Sequence, residues 1–139
     1  MGQIYKWQAR HTSSISYRQY STIMSNHRLR GKKAEDVACR FLEKNGLNLI
    51  ERNYQCRFGE IDIIMQDSDT IVFIEVRYRQ SMTYGGAEAS VDRNKQQKLV
   101  FTANHYIQKH SLSQAMRFDV VAIYPGESPH WITDAFMEN

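Results

Sequence analysis

The sequence predicts an α/β sandwich: a mixed sheet of four or five strands flanked by helices, in the order α-β-β-β-α-β with a further short strand at the end. Three observations carry this expectation. Ala34, Val37, Ala38, Phe41 and Leu42 form one apolar stripe at helical spacing. Two β-branched, apolar segments, residues 61–65 and 71–76, flank a polar, turn-forming stretch. A second helical stripe then precedes another alternating apolar segment, so the chain passes from helix to strands and back again.

The first helix is expected from Gly31 to near Gly46. Glu35 lies one position from Ala34 and two from Val37, at the border of the buried stripe, so it looks toward a sheet edge. Residues 47–54 alternate as a first strand, and Cys56-Arg57-Phe58-Gly59 forms a turn. Residues 61–65 and 71–76 form a hairpin around Gln66-Asp67-Ser68-Asp69-Thr70. Beyond Gly85-Gly86, Leu99, Ala103, Tyr106 and Ile107 mark a second helix over residues 92–109, with Asp92 available as its N-cap. Residues 118–124 alternate as a buried strand, Pro125-Gly126 turns the chain, and Trp131-Ile132 marks a last short strand.

At 139 residues, with 42% hydrophobic and 24% charged content, the chain holds one core. Residues 1–27 have no sustained periodicity and read as a basic, flexible tail, leaving 28–139 as the α/β domain. The tail's acid-poor composition also fits a transit peptide, and Met24 offers an alternative start that would remove most of it. The net charge of +3 conceals a split, because residues 1–34 carry seven Lys or Arg and no acid, while the rest carries eleven basic and fifteen acidic residues. A body of net −4 does not coat nucleic acid by charge alone, so any nucleic-acid role there needs a local site. No apolar run approaches the roughly 18 residues that cross a bilayer, so no membrane partner is expected. Cys39 and Cys56 are isolated, as suits reduced thiols in a cytoplasmic protein. The five histidines lack metal-ligand spacing and read as surface or hydrogen-bonded residues, not a zinc site.

The hairpin is unusual because each of its strands carries a carboxylate inside an apolar run: Asp62 in Glu60-Ile61-Asp62-Ile63-Ile64 and Glu75 in Ile74-Glu75-Val76. If residues whose numbers sum to 137 pair across the ladder, Asp62 faces Glu75 at about 5 Å; a one-residue slip would separate them. Two such carboxylates repel unless one is protonated or a cation joins them. Magnesium prefers hard oxygen ligands of this kind, and the Val76 carbonyl adds another donor. Alternatively, Arg77 and Arg79 simply neutralise Glu60, Asp62 and Glu75 as an ion-pair network. Asp119, inside Phe118-Asp119-Val120-Val121, reads as a buried structural acid and not as a ligand.

Gly59-Glu60-Ile61-Asp62-Ile63-Ile64 and Phe73-Ile74-Glu75-Val76-Arg77-Tyr78-Arg79 resemble the central motif of the YraN family. Matching pieces extend over almost the whole body: Gly31, Ala34-Glu35, Ala38, Glu51-Arg52-Asn53, Gly85-Gly86, residues 95–99, Arg117-Phe118-Asp119-Val120-Val121 and Asp134-Ala135-Phe136. That family in turn resembles the PD-(D/E)XK nuclease superfamily, particularly its Holliday-junction-resolvase branch. The resemblance implies a restriction-endonuclease-like fold and a metal site of Glu35, Asp62 and Glu75 with the Val76 carbonyl, holding magnesium or manganese. It places Arg77 at the superfamily's Lys position, in a catalytic set with the three acids.

Arginine departs from that pattern. It can hold a phosphate bidentately or offset transition-state charge, but it does not exchange its proton as a lysine can. Lys95 and Lys98 on the second helix are candidates for the missing amine and, with Arg79, for contacts to nucleic acid. The implied activity is metal-dependent hydrolysis of phosphodiesters in branched or single-stranded DNA, in repair or recombination. The alternative is a catalytically silent nucleic-acid-binding or scaffold module that keeps the fold. Resolvase-like relatives imply a homodimer, since cutting two strands takes two sites.

Overall fold

The two apolar segments form the hairpin that the sequence predicts, paired over residues 63–67 and 70–74. A computed structural model describes residues 27–80 and 91–137. Most of the expected tail, with Met24, and the Gly85-Gly86 loop lie outside these residues. The elements are α1 (His27–Lys44), β1 (Asn48–Cys56), β2 (Gly59–Asp67), β3 (Thr70–Tyr78), α2 (Arg93–Lys109), β4 (Met116–Ile123) and β5 (His130–Phe136). The chain is therefore an α/β protein whose five strands lie in sequential order in one sheet. Only β3 and β4 run parallel, because α2 carries the chain back across the sheet between them; the other neighbours are antiparallel.

The first helix starts at His27, four residues before the expected start at Gly31. Arg and Lys favour helix intrinsically, and the open space around Gly31 lets the turn continue. Asp92 caps α2 as predicted, its carboxylate accepting the Lys95 N–H at 2.9 Å. The hairpin between β2 and β3 closes on two residues, Ser68-Asp69, with Ser68 at φ 54°.

Each helix covers one face of the sheet. Ala34, Val37, Ala38 and Leu42 of α1 pack on Ile63, Met65, Val72 and Ile74. Leu99, Ala103 and Tyr106 of α2 pack on Ile64, Ile71, Phe73 and Phe118. The alternation breaks in one place. Ile61 is two residues from Ile63 and should share its face, yet it joins Tyr54 in the core under α2. Asn53, between the partners of those two residues, adopts φ 54°. A left-handed residue re-aims a strand, so beyond Asn53 and Asp62 the β1–β2 hairpin turns over toward α2.

The hairpin tip then packs on the helix. Gly59 has φ 152°, and a Cβ there would meet Thr102 Oγ1 at 3.3 Å. Gly59→Ala is expected to cost about 1–3 kcal/mol, read as a lower denaturant midpoint at unchanged slope.

Candidate metal and phosphate site

The turnover of the β1–β2 hairpin creates the site. Pairing of β2 with β3 ends at Ile63↔Ile74, in the register whose residue numbers sum to 137. Past that rung the strands separate, and the Val76 N–H donates to Asp62 Oδ2 at 2.8 Å instead of to a strand carbonyl. The side chain of Asp62 thus fills the opening of the sheet. Glu75 stands beside it, 8% exposed, within hydrogen-bonding reach.

Burial and like charge act together on this pair. Desolvation first, and the Glu75 charge second, push the Asp62 carboxyl up to about 7, against the Val76 hydrogen bond. Glu75 is also raised: its desolvation outweighs the opposing pull of Lys95 and Arg77. Those cations flank the same oxygen, Lys95 Nζ at 3.7 Å and Arg77 Nε at 3.8 Å from Glu75 Oε2. Both separations are too long for a hydrogen bond. Arg77 Nε is buried and makes no hydrogen bond, with Glu75 Oε2 at 3.8 Å as its ion-pair partner.

Glu35 approaches from α1, on the other face. Its Oε1 accepts from Asn53 Nδ2 at 3.0 Å and lies 3.6 Å from Arg52, whose guanidinium also bridges to Asp36 at 2.8 Å. Its charge still reaches Asp62 and raises that carboxyl. Among the described residues no group of three or more His, Cys, Asp or Glu is set closely enough to hold a metal ion. The close pair is Asp62 and Glu75, with Glu35 behind it. Two carboxylates beside each other fit one hard divalent cation, which takes one or two carboxylates and completes its shell with water and phosphate oxygens.

The remaining candidates divide. Lys95 stands at the acids, whereas Lys98 lies against the hairpin tip at Gly59. Arg79 extends the sheet by donating its N–H to the Ile123 carbonyl. Among the described residues neither Lys98 nor Arg79 forms an ion pair with Glu35, Asp62 or Glu75. At Val76 the group engaged with Asp62 is the N–H. Asn53, which ties Glu35 to the turnover of β1, was not among the sequence candidates. An asparagine inside a strand, tolerant of the left-handed region, is the signal that marks it.

Asp119 is structural. Fully buried, it accepts from Arg117 Nε and Nη2, Trp131 Nε1 and the Asp134 N–H, all at 2.8–2.9 Å. His105, His110 and His130 each have a hydrogen-bonding partner, Tyr54, the Tyr106 carbonyl and Glu127 respectively. Cys39 is buried and Cys56 half-buried, both as free thiols. Among the described residues no helix is long and apolar enough to cross a membrane.

Residues 34–123 match the model of the uncharacterised protein family UPF0102. The chain is 46% identical over 123 residues to a UPF0102 protein of Aeromonas hydrophila, covering 86% of this chain and 94% of that protein. It is 49% identical over 117 residues to one of Methylococcus capsulatus, covering 81% and 95% respectively. A UPF0102 protein of Nitrosomonas europaea is 46% identical over 118 residues, 84% of this chain and the full length of that relative.

Proposed function

The chain belongs to the UPF0102 family, the YraN family, and from that premise we propose that it is a nucleic-acid-processing protein of the PD-(D/E)XK nuclease type that hydrolyses phosphodiesters of branched or single-stranded DNA in repair or recombination. The observation that carries this is the pair of desolvated carboxylates at an opening of the sheet, flanked by Lys95 at 3.7 Å and Arg77 at 3.8 Å. Asp62 and Glu75 would hold magnesium or manganese, with Glu35 adding to the negative field. Bound there, the cation would lower the pKa of a coordinated water and offset charge on the phosphate.

The chain's own residues do the remaining work. Val76 fixes the orientation of Asp62 through its N–H. Arg77, which pairs with Glu75, would bring its guanidinium charge to a phosphate held at the pair and offset charge as it develops. Lys95 brings the amine that the Glu75-Val76-Arg77 tripeptide lacks, within 3.7 Å of Glu75. The expected setting is the cytoplasm, with two chains acting together on a branched substrate.

Incubating the full chain with labelled branched, single-stranded and duplex DNA plus magnesium or manganese tests this. Cleavage is expected with wild type and absent with Asp62→Ala; equal cleavage by both would identify a contaminant. Metal-independent binding without cleavage would instead support a silent binding module, in which Arg77 keeps its hold on phosphate after turnover is lost.

A further inference from the structure

The β1–β2 turn and the outer face of α2 present a cluster that the acidic site does not use. Phe58 is 36% exposed and Phe101 47% exposed, and their rings lie 5.6 Å apart. His105 meets Phe58 edge-on at 6.2 Å, and the Arg57 guanidinium lies over the Phe58 ring at 4.8 Å. Exposed rings in contact and rimmed by charged residues form an apolar patch of the kind that marks an interaction site.

Charge identifies the occupant. Between Arg93 and Lys109, α2 carries four Lys or Arg and no acid, in a body whose net charge is negative. Lys98 lies beside the tip at Gly59, and Lys109 Nζ lies over the Tyr54 ring at 5.7 Å. A two-fold contact with a second copy through this face would oppose like charges. A polyanion carrying flat, stackable groups satisfies both halves of the surface: its phosphates meet the cations and its bases meet the rings.

We infer that Phe58, Phe101 and His105, flanked by Arg57 and Lys98, form a base-stacking subsite for single-stranded nucleic acid beside the acidic site. This rests on the nucleic-acid function proposed above and specifies its substrate, because duplex DNA keeps its bases stacked internally and offers none to the rings. The helix links the two sites. Phe101 lies six residues beyond Lys95, about 9 Å along the helix axis and about 120° around it. A strand whose phosphate lies at Lys95 and Arg77 would reach Phe101 and Phe58 by passing around α2. Phe101 also walls a groove of about 250 Å³ with Arg93 and Gln97, which offer hydrogen bonds to base edges.

The test is fluorescence anisotropy of the full chain with a labelled twelve-nucleotide thymidine strand and a base-free strand of the same length, in EDTA, at two salt concentrations. Wild type is expected to bind the thymidine strand at least about 10-fold more tightly than the base-free one. Phe101→Ala alone and Phe58→Ala/Phe101→Ala should lose this preference with the salt dependence unchanged, and Phe101→Trp should retain it. Lys98→Gln should instead flatten the salt slope by about 0.7. Equal wild-type binding to both strands, or a preference that survives the double substitution, overturns the subsite and leaves the nucleic-acid function standing. Failure of wild type to bind either strand overturns both. A double variant that changes only self-association, with strand binding intact, makes the patch a protein contact and also overturns the subsite.

Discussion

Asp62→Asn should stabilise the metal-free protein at pH 8 while abolishing cleavage. In the folded chain Asp62 keeps its proton up to about pH 7, whereas an unfolded aspartate releases it near 3.8. Between these values the unfolded state binds fewer protons, so folding stability falls as the pH rises through that window and is level above it. At pH 8 Asp62 is ionised, and the fold carries the cost of its desolvation and of its proximity to Glu75. Asparagine removes one charge, can still accept the Val76 N–H and can donate to Glu75. The expected gain is about 1–3 kcal/mol at pH 8, vanishing by pH 4, as read from denaturant midpoints across that range. The same change removes half of the carboxylate pair, and cleavage should fall about 10³-fold or more. Loss of activity together with loss of stability would mean that the pair is an ordinary structural ion cluster.

Asp119→Ala should do the reverse. This aspartate is buried as deeply as any of the described residues, but its surroundings are donors. Its two oxygens accept four hydrogen bonds that join Arg117 and β4 to Trp131 and Asp134 of β5. Arg117 also reaches Asp67 at 3.2 Å, tying in the end of β2. Removing the carboxylate leaves the Trp131 indole N–H without its acceptor and Arg117 with Asp67 alone, at an expected cost of about 3–5 kcal/mol. Asp119→Asn should cost less, because one of its two polar atoms still accepts. Denaturation at pH 7 separates the cases: two aspartates in apolar strands, one stabilising when neutralised, the other destabilising when removed.

The strands and helices were legible because their signals are local. β-branched runs mark β2 and β3, and the stripes of Ala34 to Leu42 and Leu99 to Tyr106 mark the faces of α1 and α2. The meeting of Asp62 with Glu75 was legible as one of two registers, and the pairing of Ile63 with Ile74 is the one that brings them together. What alternation does not encode is the turnover at Asn53, which moves Ile61 to the other core and opens the sheet. The different roles of Lys95 and Lys98 were equally hidden, because helical spacing leaves open how α2 is rotated against Glu75 and the Gly59 tip. The exposed rings of Phe58 and Phe101 are 43 residues apart in sequence and meet only when the turned-over hairpin rests on α2.

Calorimetric titration of manganese into the full chain and into Glu75→Gln at pH 8 tests the central claim most directly. One divalent ion should bind per wild-type chain and none to the variant, which should remain folded. Equal binding by both proteins, or none by wild type, would contradict a cation site built on Asp62 and Glu75.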